Sequence, residues 1–343
     1  MRGAVLRRSA AVSGITALVL LAGCDPAPAP DRGQAADHPA GQVVDESGKK
    51  VASILWAGDG KIYYTVDGGK VLMRAATSAP PEELPLHLPP ECADGVYGLA
   101  QAADGGLAAM ANCGWDFAHS VEKTEPVVID VATGSGRLRQ VPHWAVDVLW
   151  GGGGRPDWVR YGAEGCQTMV RLRGDQPDLG TGEFQRIARP VWLPVLDGRG
   201  YLYFFGGRRD GCDAAASDPW SLVAVAPDGS FTTLGEFQYP TGLAADGGGR
   251  LAVAAVRDGT SGIWELRPGQ GAFELRHAGD YCGLSFSPDG ASLAAAVPEL
   301  HASVLVLPMR PDAAAPAAPV ASPASTPDSR SPRCASDPRP NFD

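Results

Sequence analysis

The chain has 343 residues, of which 44% are hydrophobic and 20% are charged, as in globular proteins. Its formal net charge of −10 argues against nucleic-acid binding, because that function needs clustered Lys and Arg. Glycine (44 residues) and proline (30 residues) are abundant, as a turn-rich all-β protein requires.

The first residues have the pattern of an export signal. Arg2, Arg7 and Arg8 form a basic region, and Ile15–Leu21 form an apolar stretch too short to span a bilayer. The following Leu21-Ala22-Gly23-Cys24 resembles the lipobox of bacterial lipoproteins. The resemblance implies that residues 1–23 are a signal peptide and that Cys24 carries a diacylglyceryl group with acyl chains such as palmitate. This lipid would anchor the protein at the extracytoplasmic face of the cell membrane. The alternative is an ordinary secretory signal that ends near a cysteine.

Loss of residues 1–23 removes three arginines and no acidic residue, so the net charge changes from −10 to −13. An acidic protein also has little electrostatic attraction to anionic lipid, and membrane attachment is therefore expected to depend on the lipid at Cys24.

Two segments flank the predicted folded part, residues 42–310. Residues 24–41 are rich in Pro, Ala and Asp and predict a flexible tether. Residues 311–343 are dominated by Ala, Pro and Ser and predict a disordered tail. The last predicted repeat lacks a fourth strand, so we expect Gly41–Glu46 to pair with Ser303–Leu307 and complete it.

A turn signal recurs along residues 42–310. Asp-Gly pairs, which favour tight turns between strands, begin at Asp59, Asp104, Asp197, Asp246 and Asp289. The intervals are 45, 93, 49 and 43 residues, and half of 93 places a missing copy near Gly151–Gly154, which separate two apolar runs. Units of about 45 residues have the period of propeller blades. The sequence therefore predicts an all-β, six-bladed β-propeller with four-stranded blades.

In nearly every unit, the second run is apolar at successive positions. This pattern is typical of a strand buried on both faces, between neighbouring blades. The fourth strand is predicted at Leu84–Leu88 in blade one and at Phe184–Ile187 in blade three.

Six cysteines besides Cys24 predict disulfides in an exported protein. Their positions in the repeat favour the pairs Cys92–Cys113, Cys166–Cys212 and Cys282–Cys334, although six cysteines allow 15 pairings. The alternative is metal binding, but the chain has no C-x-x-C or H-x-x-x-H spacing. We therefore predict neither a metal nor a cofactor.

Two long predicted loops, Asn112–Glu125 and Gly206–Pro219, both follow a second strand and so belong to one face of the ring, conventionally the top. Long loops on a rigid scaffold are where binding usually occurs. The candidate contacts for a ligand or partner are Trp115, Asp116, His119, Arg208, Arg209 and Asp210. The alternative is that these are solvated loop residues. His119 with Asp116 and Glu122 could also form a metal or acid–base cluster.

Phe286-Ser287-Pro288-Asp289-Gly290, followed by Ser292-Leu293-Ala294, resembles the repeat of TolB-type and WD40-like bacterial propellers. That repeat is structural, so the resemblance implies a ring used for protein or ligand contact and supplies no catalytic residues. We predict a lipid-anchored, non-catalytic binding module whose top face contacts an envelope protein, a cell-wall component or a small extracellular ligand. The alternatives are a propeller enzyme of the lactonase, lyase or quinoprotein kind, with a site in the central channel, and a structural part of a larger complex.

Overall fold

Short apolar runs separated by glycine-containing turns form antiparallel β-sheets throughout the part of the chain that the computed structural model describes. The described residues are 41–92, 95–102, 105–116, 121–138, 147–150, 156–163, 166–173, 176–177, 191–207, 219–298 and 303–309. They belong to the unit Pro39–Asp343, and the unit Met1–His38 lies outside them. Among these residues, no helix is long or apolar enough to cross a membrane.

The first three sheets each contain four strands in chain order. Their strands are β2 (Val51–Trp56), β3 (Ile62–Val66), β4 (Val71–Ala76) and β5 (Ala79–Leu84); β6 (Val96–Gln101), β7 (Leu107–Asp116), β8 (Val121–Ile129) and β9 (Gly136–Leu138); and β10 (Asp147–Trp150), β11 (Pro156–Ala163), β12 (Cys166–Arg173) and β13 (Gln176–Pro177). Neighbouring strands are antiparallel, as short hairpin connections require.

The next sheet contains seven strands: β14 (Val191–Leu196), β15 (Leu202–Gly207), β16 (Trp220–Val225), β17 (Phe231–Ala245), β18 (Leu251–Arg257), β19 (Thr260–Leu266) and β20 (Glu274–Ala278). Phe231–Phe237 of β17 pair with β16, and Gln238–Ala245 pair with β18. The register shifts near Tyr239, which has φ 47° and precedes Pro240. The sheet therefore consists of two four-stranded units that share the bent strand β17.

The last sheet combines the two ends of the described chain. It contains β21 (Cys282–Phe286), β22 (Ser292–Ala296), β23 (Val304–Pro308) and, beyond β23, the first strand β1 (Gln42–Asp45). Gln42 pairs with Val306 and Asp45 with Val304. The pairing that the sequence predicts between residues 41–46 and 303–307 is therefore present.

The second strand of a sheet is its most buried part. All of Ile62–Val66 is buried, and Leu107–Ala111 are 0% exposed. Burial of a side chain such as Leu or Phe contributes about 1.5–3 kcal/mol relative to leaving it exposed. These strands, with apolar side chains on both faces, confirm the interpretation of the second runs as buried strands.

Neighbouring sheets are also joined through their first strands. The hydroxyl oxygen of Ser285 accepts a hydrogen bond from the backbone N–H of Trp56 (2.8 Å), and that of Ser53 accepts one from the N–H of Leu99 (2.9 Å). Each serine thus contributes a polar contact between the first strands of adjacent sheets, which supplements the apolar packing.

The turns between first and second strands share one backbone geometry, but the aspartate occupies different positions within them. In five turns, the first residue donates its N–H to the C=O four or five positions later; these turns are 57–61, 102–106, 197–201, 246–250 and 287–292. The fourth residue is a glycine with φ between 64° and 85°. Asp59 and Asp289 are third in their turns, whereas Asp197 and Asp246 are first. The carboxylate can accept nearby N–H groups from either position, as Asp59 does from Lys61 and Asp197 does from Arg199, so the Asp-Gly signal marks the turn without fixing its register.

One predicted fourth strand is wrong in position, and another is not tested. In the first sheet, the strand is Ala79–Leu84 rather than Leu84–Leu88, because this edge position tolerates Pro80 and Pro81. Residues 85–88 instead reach the second sheet, where the N–H of His87 donates to Gly134 O and the N–H of Gly136 donates to His87 O (both 2.9 Å). In the third sheet, Gln176–Pro177 pairs with Leu172 and Arg173, and the predicted strand Phe184–Ile187 lies outside the described residues.

Candidate binding surface

One hairpin is longer than its counterparts in the other sheets. Strand β7 has ten residues and β8 has nine, whereas β3 and β22 have five each. The pairing continues through Asn112↔Thr124 and Trp115↔Glu122 to Asp116↔Val121. We call residues 112–125 the arm. The predicted loop Asn112–Glu125 is therefore mostly strand, and only residues 117–120 lie outside the described structure.

The base of the arm is fixed in three ways. Cys113 is disulfide-bonded to Cys92, as the sequence predicts, and both residues are buried. The N–H of Asn112 donates to Gly95 O (2.9 Å), and the Oδ1 atom of Asn112 accepts from the N–H of Gly114 (3.0 Å). Gly114 has φ 85°, in the left-handed region that favours glycine, and lies within the register shift between Asn112 and Trp115. These contacts bend the arm at a defined point and hold it there.

The structure places the predicted contact residues as follows. Trp115 and Asp116 end β7, and only their backbone is described. The other predicted loop falls between β15, which ends at Gly207, and β16, which begins at Trp220. Both segments thus connect a second strand to a third. His119, Arg208, Arg209 and Asp210 lie outside the described residues.

Of the predicted disulfides, only Cys92–Cys113 lies fully among the described residues. Cys282 is also disulfide-bonded. Its predicted partner Cys334 lies outside the described residues, as do Cys24 and Cys212; Cys166 begins β12.

The opposite side carries the turns between first and second strands. Neighbouring turns adjoin, since the N–H of Gly58 donates to Gln101 Oε1 (2.8 Å) and Arg250 Nη2 donates to Gly290 O. We call the side with turns 57–61, 102–106, 197–201, 246–250 and 287–292 the turn face. The side on which the arm extends is the arm face, because β7 begins directly after turn 102–106 and leads away from it.

Two groups of polar side chains on the turn face are partnered within the protein. Arg199 Nη2 lies 2.8 Å from Asp197 Oδ2 and 2.9 Å from the hydroxyl of Tyr203. Burial, together with Asp197, raises the pKa of Tyr203 to about 12, and the hydrogen bond to Asp197 raises the pKa of Arg199. Tyr63 donates to Asp59 (2.8 Å), and burial raises its pKa to about 12 as well. Tyr63 and Tyr203 therefore stay neutral and Arg199 stays charged at neutral pH, and their hydrogen bonds fix the turns.

A buried ion cluster lies behind the turn face. Glu265 is 0% exposed and lies 2.5 Å from Arg276 Nε, 3.0 Å from Arg267 Nε and 3.5 Å from Arg250 Nη1. Arg250 also contacts Asp246 (3.0 Å). The cluster joins the turn before β18 to β19 and β20. Sequence reasoning missed it, although one acidic residue in the apolar run Gly262–Leu266 was an available signal.

A second buried acid holds the first strand. Asp45 is 3% exposed, and its Oδ2 atom accepts from the hydroxyl of the fully buried Tyr64 (2.8 Å). Its Oδ1 atom accepts from the N–H of Ser47 (2.8 Å). Burial, followed by the hydrogen bond to Asp45, raises the pKa of Tyr64. Over the part of the chain with described side chains, no group of three or more His, Cys, Asp or Glu could hold a metal ion.

Comparisons with known proteins bear on the fold. No protein-family model and no curated protein sequence matches the chain. Among solved structures, the PQQ-bound aldose sugar dehydrogenase of Streptomyces coelicolor is similar, with 15% identity, a TM-score of 0.51, and coverage of 78% of this chain and 96% of that one. The Cps50 (Swd1) β-propeller domain of Myceliophteria thermophila has 12% identity, a TM-score of 0.51, and coverage of 79% and 100%.

The fold is a β-propeller. A structure described as a glucose dehydrogenase is also similar, with 11% identity, a TM-score of 0.52, and coverage of 79% of this chain and 100% of that one. At such low identity these likenesses show the fold alone, and propellers host many unrelated functions. They therefore do not assign an enzymatic activity to this protein.

Proposed function

We propose that this protein is a six-bladed β-propeller, lipid-anchored through Cys24 at the outer face of the cell membrane. In this proposal it is a non-catalytic module that binds a protein or ligand of the cell envelope. The four four-stranded sheets and the two units that share β17 supply the six blades. The pairing of β1 with β23 supports a ring in which the first strand completes the last blade.

The observation that carries the proposal is the arm. It is a hairpin longer than its counterparts, and a disulfide and two hydrogen bonds fix its base. A preorganised element loses little conformational entropy when it binds, so more of the contact energy contributes to affinity. Its sequence includes Trp115, an aromatic residue of the kind that dominates binding energy at interfaces.

The two faces differ in a way that favours the arm face. Short, internally hydrogen-bonded turns form the turn face. The arm and the twelve-residue connection between Gly207 and Trp220 both join second strands to third strands, so they belong to the arm face. Chain segments beyond the rigid strands are the usual place for recognition. We therefore place the binding surface on the arm face.

The test is site-specific photo-crosslinking in living cells. One variant carries a photoreactive residue at Asp116 in the arm, and its matched control carries the same residue at the exposed Thr232 beside the turn Pro227–Ser230. The proposal expects a discrete crosslinked species from position 116 and none from position 232. A species from position 232 alone would move the interface to the turn face and contradict the proposal.

A second variant separates binding from folding. Replacement of residues 115–122 by Asn-Gly closes the arm with a two-residue turn and retains the Cys92–Cys113 bond. We expect the melting temperature to stay near that of the native protein while a partner captured by a crosslinker at Arg209 is lost. Retention of that partner would show that the arm is not part of the surface. Crosslinking from neither face, together with a small-molecule ligand that raises the melting temperature, would favour the enzyme alternative.

A further inference from the structure

The chain enters the propeller on the turn-face side. Strand β1 begins at Gln42, which pairs with Val306 toward the end of β23, and ends at Asp45, which pairs with Val304 at its beginning. The side-chain amide of Gln42 donates to Thr77 O, in the turn that joins β4 to β5. That turn lies on the turn-face side, because β4 runs toward it from the Asp67–Gly69 segment on the arm-face side.

Sheet twist refines this position. Each strand is rotated by about 20–25° relative to its neighbour, so the outer strand β1 is strongly inclined to the inner strand β21. Because β1 is the edge strand of its sheet, opposite the first strand β21, Gln42 lies at the outer rim of the turn face rather than near the middle of the ring. There it borders an open groove of about 430 Å³ between β1 and residues 77–81.

The arm points the opposite way. Strand β7 starts at Leu107, next to turn 102–106, and continues to Asp116 with one register shift between Asn112 and Trp115. The bond between Cys92 and Cys113 fixes the strand beyond its midpoint. The first residue of β1, Gln42, and the end of β7, Asp116, are thus on opposite faces.

The length of the predicted tether decides which face of the propeller can easily reach the membrane. Cys24 and Gly41 are separated by 41 − 24 = 17 residue-to-residue steps along the chain. A flexible chain of that length has a mean reach of about 23 Å, from about 5–6 Å times the square root of the residue number. A six-residue inner strand alone spans about 20 Å, and the arm adds about 13 Å for four further residues. The mean reach suffices for the turn face to approach the membrane, but bringing the arm to the membrane requires above-average extension.

We propose that the propeller stands over the membrane with its turn face toward the lipid and its arm face toward the outside. This inference rests on the proposed lipid anchor at Cys24. It identifies the binding surface as one that meets a protein, glycan or soluble ligand beyond the membrane rather than the lipid surface itself. The turn face is the membrane-proximal side, and the carboxylates of Asp197, Asp246 and Asp289 on it accept hydrogen bonds from backbone N–H groups of their own turns.

The experiment measures the distance of each face from a bilayer. A fluorescent noncanonical residue replaces either Thr232, next to the turn-face connection before β17, or Thr260, at the arm-face start of β19. Both threonines are exposed, which makes them a matched pair. The lipidated full-length protein is reconstituted in phosphatidylcholine vesicles that carry an energy acceptor on a small fraction of headgroups.

We expect energy transfer from position 232 to exceed that from position 260 by at least about twofold, given the ~20 Å that separates the ends of a six-residue strand. Equal transfer from both positions, or stronger transfer from position 260, would overturn the inferred orientation. Doubling the tether with a Gly/Ser insertion after Gly41 should reduce the difference, because the longer chain lets the ring reorient.

A second experiment tests the orientation of the propeller independently of whether Cys24 is lipidated. The mass of the N-terminal peptide reports whether Cys24 carries a lipid. In parallel, the chain from residue 24 onward is attached to chelating vesicles through an N-terminal hexahistidine tag, which fixes the attachment point whatever the natural modification is. Preferential transfer from position 232 there supports the orientation even if Cys24 is unmodified. Its absence contradicts the orientation even if Cys24 is lipidated.

Discussion

Cys113, within the longest hairpin of the described structure, is disulfide-bonded to Cys92, which lies just before the strand that begins the same sheet. The bond links the entry of the sheet to the base of the arm. Its two sulfur atoms are buried among the apolar side chains of the first and second sheets. The bond is therefore expected both to stabilise the fold and to hold the base of the arm in place.

Replacement of both cysteines (Cys92→Ala and Cys113→Ala) should lower the free energy of unfolding by about 3 kcal/mol. The sequence separation is 21 residues, and a cross-link over a loop of that length removes about this much entropy from the unfolded chain. Urea unfolding under non-reducing conditions measures the change. The reduced native protein is the control and should resemble the double variant. Equal stability of the oxidised native protein and the variant would show that the bond does not stabilise the fold.

The repeat of apolar runs predicted most of the strands, because the second strands must be apolar on both faces and the tight turns need Asp and Gly. The outer strands were harder to predict. Ala79–Leu84 has only one buried residue, so neither burial nor alternation marks it. The register of the turns also escaped prediction, since a carboxylate at either the first or the third position can accept backbone N–H groups.

The position of the arm between a second and a third strand was predicted, but its hairpin form was not. The disulfide pair and the connection between second and third strands follow from the position of each cysteine in the repeat. That the segment continues as a hairpin could have been inferred from Trp115, Val121 and Thr124, residue types that favour strands. The ion cluster could not be assembled from the sequence, because Arg250, Arg267 and Arg276 come from three separate segments that only the folded sheet brings to Glu265.

Asp45 should be essential for the attachment of the first strand. Asp45→Ala leaves the buried hydroxyl of Tyr64 without its acceptor, and an unsatisfied buried polar group costs about 1–3 kcal/mol. The matched control is Asp59→Ala, which breaks the hydrogen bond from Tyr63 to an exposed acceptor and should have a smaller effect, because water can replace it. Thermal melts compare the two variants.

The double variant Asp45→Ala/Tyr64→Phe tests the cause. Removal of both partners eliminates the orphaned hydroxyl, so the double variant should recover part of the stability that Asp45→Ala loses. A loss at least as large in the double variant would indicate that Asp45 acts through Ser47, whose N–H and hydroxyl also donate to its carboxylate, rather than through Tyr64.

His277 should make the protein less stable in mild acid. Burial lowers the pKa of His277 below its ordinary value, while its Nε2 atom hydrogen-bonds to Pro308 O (3.0 Å). Because the folded-state pKa is lower than that of the unfolded chain, the unfolded chain binds more protons as pH falls through about 6.5. The stabilising contribution of neutral His277 is therefore fully present above the ordinary pKa of histidine, and the free energy of unfolding declines as the pH falls below it. Urea midpoints at about pH 7.5 and pH 5.5 measure the decline.

His277→Gln should reduce that decline, because glutamine can donate to Pro308 O without titrating. The control His87→Gln changes an exposed histidine and should leave the pH dependence as it is in the native protein. If His277→Gln keeps the full decline, protonation of His277 is not its cause.

Glu265→Gln should destabilise the fold strongly. The substitution preserves the shape of the side chain but removes the one fully buried negative charge that Arg250, Arg267 and Arg276 share. Removal of one partner from a buried ionic group typically costs about 3–5 kcal/mol, because the remaining charges lose their compensation in a region of low dielectric. The matched control is Glu274→Gln, since Glu274 also contacts Arg276 (2.8 Å) but its side chain is 51% exposed. A solvent-exposed ion pair contributes at most about 1 kcal/mol. Urea unfolding of both variants should therefore separate them clearly, and similar losses would mean that water or Asp246 already compensates the arginines without Glu265.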